Sequence, residues 1–190
     1  MAKVAKKSAL LLVDFINLFN FPNSQLLASR AIPAARRAAE LKARAHKARI
    51  PCIYANDNFG KWESEFSAVV RECLKRGGAS ARIAKLLKPS RHDLSVLKPR
   101  HSAFYGTPLE FLLEELHVSS LIVTGLSTDI CVFATAQDAY IRKFKVWVPR
   151  DCSAADTPEH EAEALDLMQR TMKADIRPTT SSRLPGSRSA

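Results

Sequence analysis

Three side chains with complementary chemistry follow separate apolar segments of this 190-residue chain. Asp14 comes directly after the run Ala9 to Val13, and Lys98 ends a second short apolar segment. Cys131 follows a third segment, which stops at Gly125. A thiol that attacks, a carboxyl group that takes its proton and an ammonium group that stabilises negative charge are the parts of a nucleophilic site. The chain therefore contains the components of cysteine-dependent hydrolysis.

Cys131 has the most informative position of the three. The pattern predicts a buried strand that ends at Gly125, a short turn, and a helix that begins near Cys131. Backbone N–H groups in the first turn of a helix favour negative charge, so we expect a stabilised thiolate there. The backbone N–H groups of Ser127 and Cys131 are our candidates for an oxyanion hole.

Apolar runs alternate with helical patterns along the chain, which predicts an α/β fold. We expect a single domain over residues 8–178, with a six-stranded, mainly parallel sheet and helices on both faces in a Rossmann-like three-layer arrangement. Residues 1–7 are interpreted as a basic tail and residues 179–190 as a disordered tail. The strands are predicted at 9–13, 52–55, 94–98, 121–124, 144–148 and 174–178. The helices are predicted at 24–49, broken or restarted at Pro33, and at 64–76, 82–87, 107–117, 132–142 and 157–173.

Parallel sheets bind ligands beyond the carboxyl ends of their strands. The residues that follow successive predicted strands are Asp14, the segment 56–58 with Asp57, Lys98, the Cys131 turn and Asp151. The topology therefore brings a carboxylate, an ammonium group and a thiol to one edge of the sheet.

Composition narrows the possible functions. Hydrophobic residues make up 46% of the chain and charged residues 25%, as in ordinary globular domains. No apolar run approaches the roughly 18 residues of a membrane span, and the N-terminus lacks the pattern of a signal peptide. We therefore expect a cytoplasmic protein without membrane contact.

The net charge of +10 invites a nucleic-acid interpretation, but its distribution weakens it. Six of the ten net charges lie in the two tails, and the basic stretch 30–49 has no aromatic residue on which a base could stack. Nucleic acid is thus an unfavoured partner. The other cysteines, Cys52, Cys73 and Cys152, match no zinc pattern and are interpreted as buried free thiols.

Three segments resemble the motifs of the isochorismatase-like cysteine hydrolases. They are Ala-Leu-Leu-Leu-Val-Asp14, Lys98-Pro-Arg-His-Ser-Ala-Phe104, and the segment from Gly125 through Cys131 to Ala139. The resemblance, which runs from about residue 8 to about residue 176, implies that Asp14, Lys98 and Cys131 form the family's triad. It also implies a cis peptide bond between Leu126 and Ser127, a six-stranded parallel sheet, and a homodimer or homotetramer.

Departures from the family pattern refine this expectation. Nicotinamidase-type members bind a metal through an aspartate and histidines after the second strand, but residues 54–62 contain Asp57 and no histidine. His92 and His101 are too isolated to complete a ligand set. We therefore expect no metal and no cofactor. The segment resembles the metal-free branch, which includes N-carbamoylsarcosine amidohydrolase.

The resulting hypothesis is hydrolysis of a small non-peptide amide or carbamoyl compound through a thioester. Two alternatives stay open: a non-catalytic or interaction protein on the same fold, and a vinyl ether hydrolase of the isochorismatase type, against which Cys131 argues. Neither the substrate nor a site role for Asp57 follows from the sequence. Core packing is about equally expected for Phe19 and Trp62, and a loop tyrosine such as Tyr105 more often lies at the surface. The candidate pocket residues are Phe19, Trp62, Asn17, Asn58 and Tyr105.

Overall fold

A six-stranded parallel sheet forms the centre of the protein, whose computed structural model describes residues 7–60, 65–181 and 184. The strand order is β3-β2-β1-β4-β5, and β6 pairs with the end of β4. Every strand pair is parallel. The strands are β1 Lys7–Val13, β2 Cys52–Asp57, β3 Leu94–Lys98, β4 Val118–Leu126, β5 Lys145–Trp147 and β6 Ser153–Ala154.

Helices cover both faces of this sheet. Residues of α1, α2 and α3 pack with Leu10 and Leu12 of β1, whereas residues of α4, α5 and α6 pack with Leu11 and Val13. Because both faces of β1 are buried, its sequence is apolar without alternation. The helices are α1 Ser24–Lys47, α2 Phe66–Arg76, α3 Gly78–Leu86, α4 Leu109–Glu115, α5 Phe133–Ile141 and α6 Pro158–Met172. The predicted three-layer α/β fold is confirmed.

Gly125 allows the two central strands to approach closely at the site edge. Its φ is +137°, and a Cβ atom at this position would lie 2.0 Å from the carbonyl oxygen of Val13. Only glycine fits such a contact. The glycine that ends the apolar run therefore brings the end of β4 against the end of β1.

The sixth strand differs from the prediction. β6 is Ser153–Ala154, while the predicted strand 174–178 forms only an isolated bridge between Trp147 and Asp175. The Asp175 carboxylate accepts a hydrogen bond from the backbone N–H of Arg177 at 3.0 Å. This local bond competes with further ladder pairing, so the ladder stops there, although the indole N–H of Trp147 still donates to the carbonyl of Arg177 at 2.9 Å.

Two other boundaries differ as well. α1 continues through Pro33, because the buried residues around it, including Ala31 and Ala34, pack the helix onto the sheet. The predicted disorder is wrong for residues 179–181: Thr179–Ser181 form a 3₁₀ turn, and the backbone N–H of Thr179 donates to Asp151 at 2.9 Å. Leu184 is buried in the core. The remaining residues of both predicted tails lie outside the described part of the chain.

Candidate active site

Asp14 lies at the point where β1 ends, with a left-handed φ of 47° that is uncommon for a residue other than glycine. Its Oδ2 atom is 2.6 Å from Nζ of Lys98. Its Oδ1 atom accepts a hydrogen bond of 2.7 Å from the backbone N–H of Asp57 at the end of β2. The carboxyl group is thus held from two neighbouring strand ends and is almost completely buried.

Lys98 reaches the same point from the last position of β3. Its side chain is fully buried, and Nζ donates to the carbonyl of Arg100 at 3.0 Å. Nζ also lies 3.6 Å from Sγ of Cys131. One ammonium group therefore contacts both the carboxylate and the thiol.

Cys131 lies in a π-helical turn, Thr128–Val132, which connects β4 to α5. The backbone N–H groups of Ile130 and Val132 both donate to the carbonyl of Ser127, at 3.3 and 3.1 Å. The peptide bond between Leu126 and Ser127 is cis, in agreement with the resemblance. Unlike the three other cysteines, which are buried, Cys131 is partly exposed, and all four are free thiols.

The electrostatics of the triad correct one expectation. Burial, reinforced by the Asp14 carboxylate, raises the pKa of Cys131 to about 12, although Lys98 acts in the opposite direction. The expected stabilised thiolate is therefore wrong for the free protein, because desolvation and Asp14 outweigh the helix terminus and Lys98. The thiol keeps its proton until a base removes it.

The same environment shifts the pKa values of Asp14 and Lys98. Burial raises the pKa of Asp14 above its ordinary value, even against the charge and hydrogen bond of Lys98. Burial alone would lower the pKa of Lys98, but the charges of Asp14 and Cys131 outweigh it and raise that pKa. Lys98 is consequently an ammonium ion, and Asp14 is a stronger base than an exposed aspartate.

Asn56 fixes the loop beside the triad, a role the sequence did not indicate. Its buried amide accepts from the backbone N–H of Ile16 at 3.2 Å and donates to the carbonyl of Ile16 at 2.7 Å. The one indication in the sequence was that Asn56 comes directly after the predicted strand 52–55, at the edge where the site residues were expected. Asn56 thus joins the segment after β1 to β2.

A cavity of about 530 Å³ opens beside the triad. Of the predicted pocket residues, Asn17 lines it, and so do Asp57 and the predicted oxyanion residues Ser127 and Cys131. The sequence did not predict most of its wall, because most of these side chains come from an irregular loop and from turns without periodicity; Leu27 and Leu126 belong to α1 and to the end of β4. Those additional lining residues are Asn20, Phe21, Pro22, Asn23, Leu27, Phe59, His101, Leu126, Asp129, Ile130 and Asp156.

Three predicted pocket residues do not line this cavity. Phe19 is buried in the core between the sheet and α1. Asn58 is also buried, and its side chain accepts from the backbone N–H of Gly60 at 2.9 Å, so it stabilises a turn. Tyr105 is 63% exposed on a loop. Trp62 lies outside the described residues.

Residues 54–62, at and beyond the end of β2, do not fit a metal ion of the nicotinamidase type, because Asp57 is the only carboxylate among them and no histidine accompanies it. Within the described ranges, two groups of potential ligands do occur elsewhere, and neither contains Asp57. They are His46, Cys52 and Asp93, and Asp129, Asp156 and His160. No catalytic step is assigned to a metal.

Comparison with known proteins agrees with this geometry. The Isochorismatase domain model matches residues 8–181. An uncharacterized isochorismatase family protein of Bacillus subtilis is 38% identical over 93% of this chain and 95% of its own length. Maleamate amidohydrolase of Pseudomonas putida is 28% identical over 85% of this chain and 79% of its own length.

Solved structures share the fold. A crystal structure of an isochorismatase family protein from Desulfovibrio vulgaris superimposes with a TM-score of 0.74 at 27% identity, and it covers 93% of this chain and 96% of that one. The chain belongs to the isochorismatase family. No described helix has both the length and the apolar character that crossing a membrane requires.

Proposed function

We propose that this protein is a cysteine-dependent hydrolase that cleaves the C–N bond of a small non-peptide amide or carbamoyl compound through a thioester. The observation that carries the proposal is the contact of one buried ammonium group with a carboxylate at 2.6 Å and a thiol at 3.6 Å. This contact lies at the wall of an open cavity. The similarity to a maleamate amidohydrolase supports amide hydrolysis.

In the first half of the reaction, Asp14 takes the proton of Cys131 as the sulfur attacks the carbonyl carbon. The high pKa of the thiol requires this transfer to accompany the attack. The backbone N–H groups of Ser127 and Cys131 stabilise the oxyanion. Asp14 then gives its proton to the leaving nitrogen, and the C–N bond breaks to leave a thioester on Cys131.

In the second half, Asp14 takes a proton from a water molecule, and the resulting hydroxide attacks the thioester carbon. The C–S bond breaks, the sulfur recovers a proton, and the acid product leaves. Lys98 stays charged throughout and stabilises the negative charge that passes between Asp14 and the sulfur. The residues after β2 support the metal-free branch of the family.

A panel of small amides and carbamoyl compounds, assayed for ammonia release, tests this proposal. Wild-type protein should turn over at least one member, and Cys131→Ala should reduce that rate to background while it leaves the fold intact. Cys52→Ala is the matched control, and this variant should keep the kcat of the wild-type protein. Cys52 begins β2, at the edge of the sheet opposite to the strand ends that carry the site. Equal rates in wild-type and Cys131→Ala proteins would contradict a thioester.

A further inference from the structure

The described walls of the cavity beside Cys131 contain carboxylates but no lysine or arginine. Apart from these carboxylates and the Cys131 thiol, one titratable side chain lines the described walls. It is His101, whose Nδ1 atom lies 3.8 Å from Sγ of Cys131. A cleft lined by charges of one sign attracts ions of the opposite sign. The net charge of this lining should therefore influence which substrates bind. The four lining carboxylates are Asp14, Asp57, Asp129 and Asp156.

Two of these carboxylates are already neutralised by a neighbouring cation. Asp14 forms the ion pair with Lys98, which lies beneath the cavity wall. Asp156 contacts the ring of His160 at 2.7 Å, and that pair is exposed. These two contribute little net charge when His160 is protonated, and only Asp156 adds to the negative charge when it is not.

Asp57 and Asp129 differ from them, because neither forms an ion pair within the described part of the chain. Asp57 accepts a hydrogen bond of 2.5 Å from the backbone N–H of Phe59, and its charge also acts on the ammonium of Lys98, which Asp14 already pairs. The Oδ1 atom of Asp129 is shielded from solvent and has no hydrogen-bond partner in the described structure. A shielded carboxylate oxygen without a donor is costly, so no hydrogen bond within the described structure offsets the negative charge of Asp129 at this atom.

Asp129 also lies close to a second acid. Ligand atoms of Asp129, Asp156 and His160 lie within 4.8 Å of one another. Two carboxylates at this separation repel each other, and a positive group relieves the repulsion, whether it is a protonated His160 or a cation bound from the cavity. A negative group in the same place adds to it.

We propose that this pocket selects amide or carbamoyl substrates whose non-reacting end is positively charged or neutral, and that it disfavours substrates carrying a carboxylate. The proposal rests on the proposed function for its reacting amide, and on Asp57 and Asp129 for its selectivity. It separates this chain from the maleamate amidohydrolase that it resembles, because maleamate carries a carboxylate at its non-reacting end.

Charged thiol reagents test the selectivity without any turnover. The 2-aminoethyl and 2-sulfonatoethyl methanethiosulfonates carry opposite charges, and each forms a disulfide with Cys131 as its S–S bond breaks and methanesulfinate leaves. The rate with the cationic reagent is divided by the rate with the anionic reagent. This ratio is then divided by the same ratio for 2-mercaptoethanol, a small thiol without a pocket, which removes the intrinsic difference in reactivity between the reagents. All rates are measured at the same pH in the presence of a chelator that removes metal ions.

The wild-type protein should prefer the cationic reagent by about tenfold or more after this normalisation. Cys131→Ala gives the background from the buried cysteines. Asp57→Asn and Asp129→Asn should each lower the preference, and the double variant should bring it towards one. Asp166→Asn is the matched control, because Asp166 is exposed on α6 and pairs with Arg170 outside the cavity, and it should leave the ratio unchanged.

A normalised ratio of one or less in the wild-type protein would overturn the proposal, and this result needs no variant to fold. A ratio that the double variant does not change would overturn the assignment to Asp57 and Asp129. With substrates, kcat/KM should decrease in the order 5-aminopentanamide, hexanamide, 4-carbamoylbutanoate, and the reverse order would contradict the proposal. Absence of turnover above the Cys131→Ala background would instead count against the proposed function, and the reagent ratio would still decide the charge preference.

Discussion

Two clusters in this molecule contain an aspartate, a lysine and a cysteine, but only one exposes its thiol. At the carboxyl ends of the strands, Asp14 and Lys98 contact Cys131, which is partly exposed to a cavity. Near the start of β2, Asp93 pairs with Lys42 at 2.7 Å beside Cys52, which is 1% exposed. Burial raises the pKa of both thiols to about 12.

The two carboxyl groups behave in opposite ways. Burial alone would raise the pKa of each. For Asp93, hydrogen bonds from Lys42, the backbone N–H of Ser90 and His46 outweigh burial, and its pKa is lowered. For Asp14, burial outweighs the contact with Lys98, and its pKa is raised. The same residue types therefore form a poor base with a structural role in one place, and a strong base in the other.

Between the two clusters, the largest expected difference lies between their lysines. Lys98→Met should lower kcat by about a hundredfold or more, because Lys98 lowers the pKa of Asp14, and its loss raises that pKa further and leaves less of the carboxyl group ionised as the base. Lys42→Met should keep kcat per folded molecule. Steady-state ammonia release on the same amide measures both, and a large loss of kcat in Lys42→Met would break the distinction between the clusters.

A smaller effect separates stability from activity. Asp93→Asn should lower the free energy of unfolding by about 3 kcal/mol, because it leaves the buried ammonium of Lys42 without its anion. Asp166→Asn, which breaks an exposed pair with Arg170, should change it by less than about 0.5 kcal/mol. Urea unfolding measures both values. Equal effects of the two substitutions would show that the Asp93 cluster does not stabilise the fold.

The pH dependence of activity should differ from the pH dependence of stability, because the two clusters shift their carboxyl groups in opposite directions. Because the pKa of Asp14 is raised, kcat/KM should fall on acidification at a pH above the ordinary aspartate value of 3.8. Because the pKa of Asp93 is lowered, its stabilising contribution is complete above about pH 4, the unfolded value, and is lost as the pH falls through the lower folded value. Activity should therefore decrease before the stability difference between wild type and Asp93→Asn does. The opposite order, measured by pH–rate and urea titrations, would refute this assignment.

The sequence was most informative where strands end. Buried parallel strands have continuous apolar runs, so the positions of Asp14, Lys98 and Cys131 followed from the runs before them. The sixth strand could not be located, because Ser153 and Ala154 form a pairing of two residues without a hydrophobic pattern. Short pairings depend on the geometry of their neighbours more than on their own composition.

The wall of the site was less predictable than its triad. Phe21 and Asn23 reach the cavity from an irregular loop, and such loops have no periodicity that assigns a direction to a side chain. The protonation state of Cys131 was also beyond the sequence. A pKa sums desolvation and charges from residues that are distant along the chain, and here burial and Asp14 outweigh the local helix terminus.

The most direct test of the account compares turnover and alkylation in Asp14→Asn. The account predicts that kcat falls by about a thousandfold because the base is lost. It also predicts that iodoacetamide alkylates Cys131 at least as fast as in wild type at pH 8, because Asp14 raises the pKa of the thiol. Mass spectrometry of the labelled protein and ammonia release measure the two quantities. Turnover retained within tenfold, or alkylation that falls in parallel with turnover, would contradict the role of Asp14 as the base.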